Sequence, residues 1–250
     1  VVVVVGGLDA DVFARAEQIV LIPGVSLGEP LLEAAQARGV EIIGDIELFA
    51  RHAQAPVIGI TGSNGKSTVT TLVGEMARQA GRDVRVGGNL GTPALELLQD
   101  SEPDFYVIEL SSFQLETVRS LRCQAATVLN ISADHLDRYP SIEAYAAAKQ
   151  QVYSGAQVQV INRDDSAAAS LAMRGAAISF GLDQPPADGF GVVDKGAGAW
   201  IVQGEERWMP VEHLRMPGRH NLANALAALA LGHAVGLPAN AMLQVLRSFE

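Results

Sequence analysis

The chain has 250 residues, 48% apolar and 18% charged, with a formal net charge of −10. That is the make-up of a soluble globular protein of one or two domains, and the negative balance argues against nucleic acid or an anionic membrane as the main partner. A single cysteine, Cys123, excludes an internal disulfide and fits the cytosol, and no apolar stretch approaches the roughly 18 to 20 residues of a transmembrane helix.

The first fifty residues alternate short apolar runs with helical patterns. Val1–Val5 reads as a buried strand with its glycine turn, Ile19–Ile22 as a second strand, and Pro23-Gly24 as a turn. Pro30 to Arg38 is helical, with Pro suited to the first turn. Val40–Ile43 is a strand, and Asp45 to His52 a helix with Asp45 as its cap. This is α/β rhythm, expected to be part of a Rossmann-like domain over 1–53. "AQAP" at 53–56 is the expected hinge into a second domain over 54–250. Strand-like runs there fall at 57–60, 83–86, 105–110, 126–131, 158–162 and 177–180, with helical patterns at 66–80, 92–99, 141–153 and 165–173. That spacing predicts a mainly parallel sheet covered on both faces. From Gly189 to Val211 the pattern is one of short antiparallel strands with tight turns, and 220–235 and 238–249 return to helix. Cys123 precedes a strand-like run and is expected to pack rather than react.

The stretch "VIGITGSNGKSTVTT" carries the most chemistry. It fits G-x-x-x-x-G-K-[ST] except that Ile60 stands where the first glycine belongs. The rest is present: a strand before, a helix after, and small residues that let backbone amides turn inward toward a phosphate. Gly62, Ser63, Asn64, Gly65, Lys66, Ser67 and Thr68 form the loop. Lys66 is expected to reach the outer phosphates and the Ser67 hydroxyl to take a Mg²⁺ site. Such a loop needs an acidic residue at a neighbouring strand end. Glu109, after the run Phe105 to Ile108, is the candidate; the alternative is a solvated glutamate. A second strand, Thr127 to Ile131, leads into Asp134-His135-Leu136-Asp137, where His135 either binds metal, orients a substrate group or does neither. Lys149 follows three alanines, and periodicity alone places it on a solvated helix face.

Taken in order, TGSNGKST, GGNLG at 87–91, ELSSFQLE at 109–116, NISADHLDRYP at 130–140, AYAAAK at 144–149 and GRHNLANALAAL at 218–229 resemble the Mur ligase family. These are the ATP-dependent enzymes that build the peptide stem of bacterial peptidoglycan. The resemblance runs from about Gly7 to Glu250, and "SSFQLE" is similar to the member that adds D-glutamate to UDP-N-acetylmuramoyl-L-alanine. It implies an amide ligase working through an acyl phosphate. ATP would sit on Gly62 to Thr68, with Asn221 and Asn224 facing the adenine. It implies two Mg²⁺ sites, one on Ser67 and Glu109 and one on His135 and a carbamylated Lys149, which reverses the solvated reading of that lysine. It implies contacts to the UDP-muramoyl substrate from Asn89, Ser111, Gln114 and His135. A cytoplasmic monomer is expected.

Two departures accompany it. Where the family has Ser-Pro-Gly, whose serine helps hold the uridine nucleotide, this chain reads Ile22-Pro23-Gly24. The family also has a third domain, which binds the incoming amino acid. The sequence reads as lacking it and the opening strand of the first, so these 250 residues are expected not to complete the ligation alone. The rival reading is a phosphate-loop nucleotide-binding module, switch or kinase, with no ligase activity.

Overall fold

A computed structural model of the protein describes residues 7–89, 91–99, 101–134, 138–194, 196 and 198–249. The strand expected at Val1–Val5 and the site candidate His135 lie outside them.

The chain begins with α1 (Ala10–Arg15), β1 (Gln18–Leu21), α2 (Pro30–Ala37), β2 (Glu41–Gly44) and α3 (Asp45–His52). β1 and β2 pair in parallel. Leu21, Leu32 and Ile42 form a small apolar cluster there with Phe13, Val25 and Leu27. Pro30 opens α2 as its pattern predicts. Asp45 does not cap α3. Gly44 holds that position without a side-chain bond, and Asp45 is the first helical residue, its Oδ2 accepting from Gln114 Nε2 at 3.0 Å. α3 turns away from the first cluster, because Ile46 and Phe49 belong to the core of the larger sheet.

That sheet is built from β3 (Val57–Thr61), α4 (Lys66–Gln79), β4 (Val84–Gly88), β5 (Phe105–Glu109), α5 (Ser112–Leu115), β6 (Cys123–Val128), α6 (Ile142–Gln150), β7 (Val158–Asn162), α7 (Ser166–Ala169), β8 (Ala176–Phe180), β9 (Phe190–Asp194), β10 (Ala199–Gln203), β11 (Glu206–Pro210), α8 (Arg219–Ala234) and α9 (Ala239–Leu246). Among the described residues its nine strands run in the order β11-β10-β9-β8-β7-β6-β3-β5-β4. Along that order each strand from β9 to β4 is parallel to the next. β10 runs antiparallel to both β9 and β11, so the stretch from Gly189 to Val211 forms the short antiparallel strands that its turn-rich sequence predicts.

Alternation in the strands explains the two covered faces. Ile58, Ile60, Val107 and Ala125 point to a core shared with α4, α8 and α9. Val57, Tyr106, Ile108, Ala126 and Val128 point to one shared with α3, α5, α6 and α7. Cys123 packs in this second core, and burial pushes its thiol up to about 12. Two helical patterns shorten. Residues 92–99 give a 3-10 turn at Ala94–Leu97 entered from Pro93. Residues 165–173 keep a single turn, because Gln159 bonds both the N–H and the carbonyl of Met173, at 2.7 and 2.9 Å, and draws the segment off the helix. Among the described residues no helix is long and apolar enough to cross a membrane.

Candidate active site

β3 lies where the strand order reverses, with β5 on one side and β6 on the other. In parallel sheets that is where a crevice opens beyond the carboxyl ends of the strands. The phosphate loop leaves β3 at this edge. Ile60, in the place of the missing motif glycine, is fully buried in the strand and paired with both neighbours, so it serves the core rather than the loop. Gly62 and Gly65 are the glycines the loop needs. Their φ angles are +151° and +83°, and a Cβ at Gly65 would stand 2.5 Å from Asn224 Oδ1.

Side chains of the β6 segment hold the loop in shape. Asn130 Oδ1 accepts from Asn64 N at 2.8 Å and its Nδ2 donates to Asn64 O at 3.0 Å. Ser132 N donates to Ser63 Oγ at 3.0 Å. The Ser63 hydroxyl also meets Tyr145 OH at 3.2 Å. Asn130, Ser132 and Tyr145 were not among the residues singled out from the sequence. Tyr145 had a signal all the same: it lies one helical turn before Lys149.

Two lysines converge on one carbonyl. Lys66 opens α4 at the loop's end, and its Nζ donates to Gly62 O at 3.0 Å and Ser63 O at 3.1 Å. Lys149 comes from α6 on the other side, and its Nζ donates to Gly62 O at 2.9 Å and Thr61 Oγ1 at 3.5 Å. Its amine also lies 4.5 Å above the Tyr145 ring. The solvated-face reading of Lys149 is therefore corrected. The residue is 1% exposed, because α6 turns this side onto the sheet edge. Burial, and then the Lys66 charge, push the Lys149 amine down to about 7. A neutral amine, which is a nucleophile, is thus available near neutral pH.

Glu109 is the last residue of β5 and is 2% exposed, so it is not a solvated strand end. Ser67 Oγ donates to its Oε2 at 2.9 Å, and Asn89 Nδ2 to its Oε1 at 2.8 Å. A hydroxyl and a carboxylate in contact beside a phosphate loop are the hard oxygen donors that suit Mg²⁺. Among the described residues no three His, Cys, Asp or Glu side chains gather as a metal cluster.

Two cavities flank the loop. One, of about 370 Å³, is lined by Gly65, Thr68, Phe180, Asn221 and Asn224 among others. The two asparagines share the first turns of α8 and face it together, as their spacing predicts. The other, of about 330 Å³, is lined by Lys66, Lys149, Asn89, Ser111 and Tyr145 together with Pro23 and Gly24 of the first unit. Gln114 is a different case. Its Oε1 accepts from Ser111 N at 3.0 Å in a capping box of α5, and its Nε2 holds Asp45. Its amide thus orients Ser111 and anchors α3. Ile22, in place of the family's serine, is 73% exposed.

Residues 60–232 match the Mur ligase middle domain, and residues 1–44 the MurD-like N-terminal domain of Mur ligases. The chain is 57% identical over 246 residues to a UDP-N-acetylmuramoylalanine–D-glutamate ligase of Nitrosococcus oceani, covering 98% of this chain and 54% of that protein. It is 55% identical over 245 residues to the ligase of the same name from Pseudomonas syringae pv. syringae, with the same coverage. The chain thus spans about half the length of these curated relatives. Among solved structures, it is similar to the UDP-N-acetylmuramate:L-alanyl-γ-D-glutamyl-meso-diaminopimelate ligase of Neisseria meningitides, at 19% identity and a TM-score of 0.69 over 98% of this chain and 82% of that one. It is similar also to the UDP-N-acetylmuramate-alanine ligase of Thermotoga maritima, at 22% identity and 0.64 over 96% and 56%. The structural likenesses show a shared fold. With the middle domain matched over more than half its length, the chain belongs to the Mur ligase family.

Proposed function

We propose that this chain is the substrate-facing and ATP-binding part of an ATP-dependent ligase that joins D-glutamate to UDP-N-acetylmuramoyl-L-alanine in peptidoglycan precursor synthesis. The observation that carries this reading is the convergence of Lys66 and Lys149 on Gly62 O, with two cavities that both border the phosphate loop. One reactant can occupy each cavity and the two meet at the loop. A kinase or switch module has no evident use for a second buried amine there.

In this reading the nucleoside of ATP occupies the cavity of Asn221 and Asn224, and its phosphates take the amides of Gly62 to Thr68. Lys66 leaves its loop carbonyls for the outer phosphates and neutralises charge as the substrate carboxylate attacks the γ-phosphate. The amine of D-glutamate then attacks the acyl carbon of the acyl phosphate so formed; the C–N bond forms, the C–O bond to phosphate breaks, and phosphate leaves with the amide. Asn89 and Ser111 orient the UDP-muramoyl substrate in the second cavity, and Gln114 supports Ser111. Ser67 and Glu109 would hold one Mg²⁺, and Lys149 with His135 a second. The metal supplies charge neutralisation on the phosphates. For Lys149 the neutral amine would attack CO₂, forming an N–C bond and losing one N–H proton, so that the amine becomes a carbamate with anionic oxygen donors; its burial and its neighbour Lys66 favour the neutral form that this needs. Residues 1–53 belong to the UDP-substrate domain and 54–250 to the ATP-binding domain. The separate cluster around Leu32 supports this division, although α3 packs on the second. The ligation itself, in a cytoplasmic monomer, is proposed for the protein at the length of its relatives.

Phosphate release by the full-length protein tests this. It should require ATP, UDP-N-acetylmuramoyl-L-alanine and D-glutamate together. ATP hydrolysis indifferent to both other substrates would favour a plain nucleotide hydrolase and refute the reading.

A further inference from the structure

Arg138 sits just past the β6 end, away from the phosphate loop, and nothing in the chemistry above uses it. Yet it joins two segments that line the second cavity. One guanidinium nitrogen donates to Gly24 O at 2.7 Å, another to Val25 O at 2.9 Å. These are carbonyls of the turn that follows β1, and Pro23 and Gly24 of that turn line the cavity. The Cζ of the same guanidinium lies over the Phe113 ring, 4.9 Å from its centroid, and Phe113, in α5, lines the same cavity. One side chain therefore ties together two lining segments, one from the first unit and one from α5. Arginine suits this: its fork is planar, always charged, and pre-organised for two acceptors while it stacks.

The contact does not stop at Phe113. That ring stacks on Tyr139, centroids 5.8 Å apart and planes nearly parallel. Tyr139 meets Tyr145 edge-on at 5.3 Å. Tyr145 then covers the Lys149 amine at 4.5 Å and bonds the Ser63 hydroxyl of the phosphate loop at 3.2 Å. Rings in such pairs add attraction beyond their burial and fix each other's rotamers. The path from the first unit's turn to the buried lysine is continuous.

We propose that Arg138 is a positioning residue for the substrate side of the site. It clamps the 22–25 turn to α5, and through the aromatic stack it holds Tyr145 over Lys149. The part of this that concerns substrate rests on the function proposed above. The clamp itself does not.

Two readouts on the full-length protein separate these. Amide hydrogen exchange should speed up by roughly tenfold or more in Arg138→Ala at Val25 and Glu29, whose N–H groups bond Ile22 O and Ser26 O within the turn, the order of at least one lost charged hydrogen bond, while amides of β3 keep their wild-type rates. In steady-state kinetics the same variant should raise KM for UDP-N-acetylmuramoyl-L-alanine by about tenfold and leave KM for ATP within about twofold. Arg138→Lys keeps the charge but cannot bridge both carbonyls or stack as well, and should fall between. Arg78→Ala, which breaks only a solvent-facing pair with Glu75, should change neither. Exchange at the turn that is unchanged, or faster everywhere alike, overturns the clamp. Faster exchange confined to the turn with both KM values unchanged overturns the positioning role. A wild-type protein that does not turn over this substrate counts against the proposed function, and the exchange readout still decides the clamp.

Discussion

Glu47 and Lys149 are both 1% exposed, and the chain treats the two buried charges in opposite ways. Glu47, on α3, accepts from Arg119 N at 2.8 Å, Ser120 N at 2.9 Å, Ser120 Oγ at 2.9 Å and Arg51 Nε at 2.9 Å. Burial pushes its carboxyl up, but the hydrogen bonds from Ser120 and Arg119 and from Arg51 outweigh this and hold it below the ordinary carboxylate value. It is a fully partnered anion that pins the entry to β6 onto α3. Lys149 has one good acceptor, a long contact to Thr61 and a ring face, with a second lysine on the same carbonyl. Its charge is discouraged rather than satisfied. A buried charge given all its partners is part of the scaffold; one given too few is available for chemistry.

If that difference is real, the two residues should fail differently. Lys149→Met in the full-length protein should lower ligation by about a hundredfold or more, as loss of a preorganised electrostatic group does, while denaturant unfolding shows stability unchanged or slightly raised, because an under-partnered charge has left the interior. A large loss of stability would make Lys149 scaffold too. Glu47→Leu should do the reverse. It strands the N–H groups of Arg119 and Ser120 and the Ser120 hydroxyl, while Arg51 keeps Glu41; unfolding should show a loss of about 3 to 5 kcal/mol, the order of two or three buried donors left unpaired, with ATP affinity of the folded protein little changed.

The same carboxylate gives a pH dependence. Its folded pKa is depressed, so its contribution is fully present above the unfolded value of about 4.3. That contribution is lost as pH falls through the lower folded value. Acid unfolding of wild type should steepen in that window, and Glu47→Gln should flatten it; equal slopes would show that Glu47 is not the group responsible. Smallest of all should be Arg78→Ala. Its partner Glu75 is exposed, solvent and salt screen the pair, and the stability change should stay within about 0.5 kcal/mol.

The same contrast shows how far the sequence could be read. The parallel sheet was legible, because β3, β5 and β6 are short apolar runs and both faces of each are buried. The loop was legible from its glycines and Lys66, and Glu109 from its place at a strand end. Lys149 was not legible from periodicity. Three alanines before a lysine look like a solvated face, and only the docking of α6 across the sheet edge buries it. Asp45 looked like a cap because helix starts favour aspartate, whereas its carboxylate is taken by Gln114, 69 positions away. Arg138 carried no local signal, and Glu47 only that of Arg51 one helical turn on; what buries and holds them was not local. Their other partners come from distant segments, and it is the fold that brings them together. The nine-stranded extent of the sheet was hidden for a similar reason, since β9 follows a turn-rich stretch yet joins the sheet in parallel.

The central claim is that Lys149 is held short of partners so that its neutral amine can react, and labelled CO₂ tests it most directly. The full-length protein, given ¹³C-bicarbonate, Mg²⁺ and nucleotide at a pH above 7, should show a bound carbamate resonance by NMR. The signal should fade on acidification, as the amine protonates, and be missing from Lys149→Met. No bound resonance in the wild type, or the same resonance in the variant, would contradict the account and return Lys149 to the scaffold alongside Glu47.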